Sequence, residues 1–427
     1  MPFTRRDFLL NSAAVALSAR QTDFLDDFSH RAFLYFIEQA DPGTGLVRDR
    51  ARAAGGVETS NDRDASSIAA TGFGLTALSI GAERGWISST DATARVLTTL
   101  RFFANRAPSE HGWFYHFMTP AGERKWKSEL SSIDTALLVA GILTARQCFA
   151  ENPEIASLAD RIYERIDFQW MLNGDRYLLA MGWHPESGFI KSRWDHYCEL
   201  MVLYLLAIAS PTHAIPAEAW YGWSRPAIAW GPYRYIYGDR PLFVHQYAHA
   251  WIDFRHRREL RPPHIDWFRN SVTATLAQRD YCIQLAGRFP GYSKNVWGIT
   301  ASDGAHGYVA WGGPPPDPQV DGTVVPCAAA GALMFLPDLG LQALETMKRL
   351  YGDRLWGRYG FADAFNPNTG WCDPDVLGID LGISLLSAEN ARNGQVWKWF
   401  MSAPGISETM ARLVTRSPVS RRRAGPD

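Results

Sequence analysis

Segments with the 3.6-residue apolar period of a helix follow one another from Asp23 to Asn390, and no series of alternating strands closed by hairpin turns interrupts them. The most apolar stretch is Arg193-Trp194-Asp195-His196-Tyr197-Cys198-Glu199-Leu200-Met201-Val202-Leu203-Tyr204-Leu205-Leu206-Ala207-Ile208-Ala209-Ser210-Pro211-Thr212-His213. Its second half is apolar on every side, which predicts a buried helix. The pattern puts Glu199 in the first turn, beside Trp194, His196 and Tyr197, near the positive end of the helix dipole. Pro211 ends the helix. A carboxylate so placed either stabilises its own helix or faces a cavity from which the helix emerges.

Amphipathic segments are predicted at Phe24 to Gln39, Asp91 to Asn105 and Glu154 to Met171. A small-residue apolar helix lies at Ser67 to Ala82, and another buried one opens at Ser132-Ile133-Asp134 and runs through Gly141. Further helices are predicted at Phe243 to Phe254, Ile265 to Gln284, Val325 to Phe335, Leu341 to Tyr351 and Ile379 to Asn390. The buried ones begin near Ser67, Asp134, Glu199, Tyr247, Val325 and Asp380, about fifty to eighty residues apart. Most are separated by an amphipathic helix, although Pro211 to Arg240 leaves room only for a short one. Six buried helices, each paired with an outer one, predict an all-α (α/α)6 toroid. With no Pro/Ser linker and no break in composition, residues 21–415 read as a single domain.

Long aromatic loops precede several of the buried helices: His111 to Phe117, Tyr177 to Phe189, Gly298 to Thr323 and Tyr359 to Pro367. Loops of this length inside a compact domain are usually functional. The chain carries 17 Trp, 16 Tyr and 22 Phe, and many of the Trp fall in Gly/Pro-rich loops. Trp113, Trp183, Trp194 and Trp311 are therefore candidates for stacking on sugar rings, unless each merely pins its own loop.

The toroid gathers the starts of its inner helices around one cavity, where the candidate acids are Glu129, Asp134, Glu199, Asp303, Asp321, Asp363 and Asp380. Glycoside hydrolysis needs two carboxyl groups across the scissile bond, one of them protonated. Glu199 is the candidate acid, because apolar and aromatic neighbours raise a carboxyl pKa by desolvation. Asp134 and Asp363 are candidate partners, with Asp134 equally readable as a first-turn helix acid. Glu129, Tyr197, Asp303 and Asp380 complete the candidate substrate contacts.

Charge and composition narrow the class. A formal net charge of -1 gives no global attraction to nucleic acid or acidic membranes. The five cysteines (Cys148, Cys198, Cys282, Cys327, Cys372) are scattered without a C-x-x-C, so neither a disulfide framework nor a zinc site is expected. His245, Tyr247 and His249 are spaced too tightly to share a helical face as metal ligands. H-E-x-x-H, G-x-S-x-G and Walker sequences are missing, and no cofactor is expected. The expected partner is an oligo- or polysaccharide, and a monomer is expected. At the start, Thr4-Arg5-Arg6-Asp7-Phe8-Leu9-Leu10 has the twin-arginine form, followed by a short apolar run and the cleavage candidate Ala16-Leu17-Ser18. Residues 1–20 are read as an export signal to the periplasm or beyond, without a lipid anchor. Residues 416–427, with Arg421-Arg422-Arg423, are read as a disordered tail.

An ordered set of segments resembles the glucoamylase-like domain family, which includes the β-1,2-glucan hydrolases of glycoside hydrolase family 144. The carrying residues are Ser131 to Ala136, Met181-Gly182-Trp183, Gly188-Phe189, Tyr197 with Glu199, and Ser210 to His213. Further on come Ile299 to Gly304, Gly307-Tyr308, Tyr359-Gly360-Phe361, Asp363 to Asn366 and Glu389-Asn390. The resemblance implies an (α/α)6 barrel that hydrolyses β-1,2-linked glucan by inversion, with Glu199 at the position of the family's key acid and the base left open. Asp195-His196-Tyr197-Cys198 departs from the small or Asn-containing run of relatives, which bears on subsite shape. Two other readings are a polysaccharide lyase using Tyr247, His245 or His249 as base, and a non-catalytic carbohydrate-binding protein.

Overall fold

Glycine decides how closely the buried helices approach. The computed structural model describes residues 19–56 and 63–416, so residues 1–18 of the expected export signal lie outside the described residues. Three helices open the chain: α1 (Ala19–Glu38), α2 (Ile68–Glu83) and α3 (Ser89–Asn105). Then come α4 (Ser132–Cys148), α5 (Pro153–Glu164), α6 (Phe168–Met171) and α7 (Met201–Ala209). The second half holds α8 (Tyr247–Trp251), α9 (Trp267–Leu285), α10 (Pro326–Gly331), α11 (Pro337–Leu355), α12 (Gly378–Arg392), α13 (Gln395–Met401) and α14 (Ile406–Leu413). Helices α2, α4, α7 and α12 are buried along nearly their whole length. α3, α5 and α14 bury one face only.

The buried helices pack on one another in sequence: α2 on α4 and α12, α4 on α7, α7 on α8, and α10 on α12. The tightest crossing is α2 on α4. A Cβ added at Gly141 would lie 2.0 Å from the carbonyl oxygen of Gly72, and one at Gly72 would lie 2.3 Å from that of Leu137. Gly382 of α12 admits the ring of Phe73 in the same way, its Cβ position being 2.3 Å from the ring. This explains the small-residue composition of α2: backbones meet where side chains would hold them apart.

Several boundaries differ from expectation. The segment from Glu154 to Met171 is two helices, because Asp167 caps α6 and accepts the Trp170 N–H. The segment from Phe243 to Phe254 is a 3-10 turn, Leu242–His245, followed by the short α8. α10 ends at Gly331, short of Phe335. Between Pro211 and Arg240 stand a 3-10 turn, Ala217–Tyr221, and a hairpin pairing Ala227–Trp230 with Tyr233–Ile236. α13 and α14 are additions to the expected set. Val414–Arg416 pairs antiparallel with Arg257–Glu259, so Arg416 belongs to a strand rather than to the tail, and residues 417–427 lie outside the described residues. Among the described residues no helix is long and apolar enough to cross a membrane.

Short ladders stand at the N-terminal ends of the buried helices. Ser66–Ser67 pairs with Phe117–Met118 before α2, Leu130–Ser131 with Gly182–Trp183 before α4, and Arg50–Arg52 with Asp375–Leu377 before α12. The pairs are two or three residues long, too short to show as alternation in the sequence. They fix the loops against the helix starts.

Filling the α2–α4 crossing tests this packing. Gly141→Ala is expected to cost about 1–3 kcal/mol of stability through overpacking, read from urea denaturation. A change below about 0.5 kcal/mol would show that the two helices can part at little cost.

Candidate active site

The helix starts carry the acids. Ser131 caps α4: its Oγ accepts the Asp134 N–H at 3.2 Å and donates to Asp134 Oδ2 at 2.5 Å. His116 bridges from the neighbouring loop, with Nδ1 2.9 Å from Glu129 Oε1 and Nε2 3.5 Å from Asp134 Oδ1. Its ring stacks on Phe117 at 3.9 Å. Burial alone would push the His116 pKa down, but the charges of Asp134 and Glu129 outweigh it and raise it to about 9. His116 is therefore an imidazolium held between two carboxylates.

Glu199 lies in the turn just before α7, which begins at Met201. This corrects its expected place inside the first helical turn. Loss of solvent around the carboxyl raises its pKa to about 7, its own backbone N–H opposes the shift, and the charge of Asp134 adds to it. Asp239 contributes in the same direction. Near neutral pH, Glu199 thus retains its proton far more readily than an ordinary glutamate.

Facing these residues is a second group of acids. Asp303 sits in a hairpin pairing Ser302–Gly304 with Gly307–Val309, and Arg50 Nη1 donates to its Oδ2 at 2.6 Å. The Asp303 N–H donates to Asp363 Oδ2 at 2.9 Å. Asp380, in the first turn of α12, accepts from Tyr247 Oη at 3.3 Å. Asp363 and Asp380 are both buried, and desolvation raises both pKa values, that of Asp363 well above the usual range with the nearby charge of Asp380 adding to it. Tyr308 joins the two groups. As a residue it is 64% exposed. Desolvation, then the charges of Asp380, Asp363, Glu199 and Asp303, push its hydroxyl up to about 12. A cavity of about 460 Å³ lies elsewhere, between α3 and α5, where the acid lining it, Glu154, is held by Arg101 at 2.7 Å.

Residues 191–404, half of the chain, match the family model named Glycoamylase and described as "Putative glucoamylase". The chain belongs to the Glycoamylase family. The matched span contains Glu199, Asp303, Tyr308, Asp363 and Asp380 of this Glycoamylase chain. An exo β-1,2-glucooligosaccharide sophorohydrolase (non-reducing end) from Parabacteroides distasonis is 28% identical over 96% of the chain. The chain spans 61% of the length of that relative. Among solved structures, an endo-β-1,2-glucanase from Chitinophaga pinensis, in complex with sophorotriose and glucose, superposes with a TM-score of 0.85. It is 28% identical, and the match covers 94% of this chain and 99% of that one. A β-1,2-glucanase from Parabacteroides distasonis has a TM-score of 0.83 at 26% identity, covering 92% of this chain and 60% of that one.

Of the expected site residues in this Glycoamylase chain, Glu129, Asp134, Glu199, Asp303, Asp363 and Asp380 come together. The aromatic candidates do not form the expected platform. Trp113 is fully buried against Phe168, and its Nε1 donates to the Asp167 carbonyl, so it has no face for a sugar. Tyr197 is likewise fully buried, stacked on Trp267 at 4.8 Å. Trp194 donates to Ser132 Oγ and Trp311 to Ser302 Oγ, and both are buried in the act of pinning their loops. Trp183 is half-buried, tilted against Trp170. Asp321 caps its own loop by accepting the Thr323 N–H. Glu389 pairs with Arg84 at 2.7 Å, holding α12 to α2.

Two neighbours of these acids, His116 and Arg50, were not singled out in the sequence, and Tyr308 was marked there only by the motif Gly307-Tyr308. The lyase candidates fare differently. His245 and His249 are buried, paired with Tyr197 and Ser271, and burial lowers both pKa values to about 3. They are sealed neutral imidazoles rather than bases open to a polysaccharide.

The raised pKa of His116 sets a pH dependence. Its contribution to stability is fully present below the unfolded value of about 6.5 and is lost as pH rises through about 9. The shifts of Glu199 act lower, between about pH 4 and 7. Wild-type stability is therefore expected to fall by about 1–2 kcal/mol between pH 6.5 and 8.5, whereas His116→Gln loses that segment of the profile. An unchanged slope in the variant, by urea denaturation across this range, would remove His116 as its source.

Proposed function

We propose that this chain is a glycoside hydrolase that cleaves β-1,2-linked glucan with inversion, using Glu199 as general acid. The observation that carries the proposal is Glu199 itself: a desolvated carboxyl, biased toward its protonated form, in a cluster of acids at the mouths of buried helices. The names of the relatives in Parabacteroides distasonis and Chitinophaga pinensis supply the linkage. The Glu199 proton goes to the glycosidic oxygen as the bond to the anomeric carbon breaks. Asp134 is the base we assign. It is half-buried and oriented by Ser131 and the His116 imidazolium, so it can take a proton from water attacking the opposite face. Asp363 is a poorer base, because burial and the Asp380 charge favour its protonated form. The charge of Asp134 helps keep the proton on Glu199.

The same reading extends to architecture and location. The ring of α2, α4, α7, α8, α10 and α12 is read as the inner layer of an (α/α)6 toroid, as a monomer. Export through the twin-arginine segment would place the enzyme where long glucans are met; an N-terminal fusion followed by fractionation and mass mapping tests it. Tyr308, exposed above the acids, is read as the sugar-stacking residue that the buried tryptophans are not.

Glu199→Gln is expected to lower turnover on β-1,2-glucan by about 10²–10⁴-fold with an unchanged far-UV spectrum. Proton NMR of the first products should show the α anomer. Activity within a few-fold of wild type removes Glu199 from the acid role, and a β-anomeric first product rules out inversion. Wild-type hydrolysis of laminarin, starch or cellulose in preference to β-1,2-glucan would reject the linkage.

Tyr308→Ala is expected to raise KM by about tenfold, a loss of about 1.4 kcal/mol in binding, with the fold intact because the ring is exposed. Equal KM values for the two proteins would exclude it from substrate contact.

A further inference from the structure

Asp303, Asp363 and Asp373 bring one carboxylate oxygen each to within 4.8 Å of the others. Asp363 and Asp373 are 3% and 5% exposed; Oδ2 of Asp373 is buried without a hydrogen-bond partner, whereas the Asp363 carboxyl also lies against that of Asp380, close enough to share a proton with it. Their other oxygens are used: Asp363 Oδ2 accepts the Asp303 N–H, and Asp373 Oδ1 accepts the Asp375 N–H at 3.0 Å. A buried, unpartnered carboxylate oxygen costs several kcal/mol unless a proton or a cation meets it.

Charge balance points the same way. Asp49, Asp303, Asp363, Asp373, Asp375 and Asp380 converge here with Arg50, Arg52 and Arg63. Arg63 and Arg52 are engaged with Asp375, and Arg50 with Asp303 and Asp49. The aspartates here outnumber the arginines, and none of the arginine contacts reaches Asp363 or Asp373.

We infer that Asp303, Asp363 and Asp373 form a binding site for a hard divalent cation, calcium in particular. Three oxygens within 4.8 Å of one another can close on one calcium ion, at about 2.3–2.6 Å from each, with a small inward movement of the side chains. The donors are all carboxylate oxygens, with no imidazole or thiolate among them, which favours calcium over zinc. Arg50 Nη1 donates to Oδ2 of Asp303, one of its two carboxylate oxygens. Bound there, calcium would tie the hairpin that carries Tyr308 to the loop between Asp363 and Asp373.

The test is calorimetric and needs no glucan. The full chain, stripped with EDTA, is titrated with calcium chloride and followed in parallel by thermal unfolding. The expected result is one calcium per chain and a Tm rise of about 2–6 °C at a hundredfold excess over Kd. Asp373→Asn, whose Oδ1 can still accept the Asp375 N–H, should weaken binding at least tenfold. No calcium-dependent heat or Tm shift in the wild-type chain overturns the site, with the buried oxygens then satisfied by protons alone. Loss of the response in Glu129→Gln but not in Asp373→Asn also overturns it, because the ion would then sit at His116, Glu129 and Asp134. Either result leaves the Glu199 reading standing, and loss of Glu199 activity leaves the calcium site standing.

Discussion

The contact between α2 and α4 is the constraint on which the rest depends. Gly72 and Gly141 let two backbones meet at a distance no side chain would permit. That brings the ladders before both helices into one rim, with Ser66–Ser67 held to Phe117–Met118 and Ser131 held to Gly182. His116 precedes the Phe117 strand and Asp134 follows Ser131, so the same contact delivers the imidazolium to the carboxylate. Dispersion and burial along the helices thereby set a polar distance at their ends.

The polar end is organised by a shortage of cations. Each acid is either paired, as Asp303 is with Arg50 and Glu129 with His116, or shifted toward its protonated form, as Glu199, Asp363 and Asp373 are. In water these groups would all ionise alike. Packed between apolar helices they divide into charged and neutral members, and acid–base chemistry needs that division. The proposed calcium ion belongs to the same account, since it would meet the buried Asp373 oxygen that no donor reaches.

The aromatic residues serve two different ends. Trp113, Trp194 and Trp311 each spend an indole N–H on a neighbouring loop or helix cap and bury the ring. They hold long loops rigid, and loops held this way can present a single exposed ring such as Tyr308 at a fixed place. Fully buried indoles with satisfied N–H groups are structural anchors.

The sequence by itself determined the helical class, and it marked α2, α4, α7 and α12 as buried and Glu199 as a carboxyl at a buried helix start, because apolar period and all-round apolarity follow directly from burial. The ordered motifs were enough to show the family resemblance. It also placed Asp134, Asp303, Asp363 and Asp380 among the candidates, since each stands at a predicted loop or helix start. Only the tertiary structure decided which aromatics face solvent, because a tryptophan in a Gly-rich loop reads the same whether it stacks on a ligand or pins its own chain. His116 and Arg50 were equally illegible: their partners are Asp134, eighteen residues on, and Asp303, 253 residues on. Which carboxyls keep their protons was decided there as well, since desolvation and the charge of distant neighbours exist only once the chain has folded.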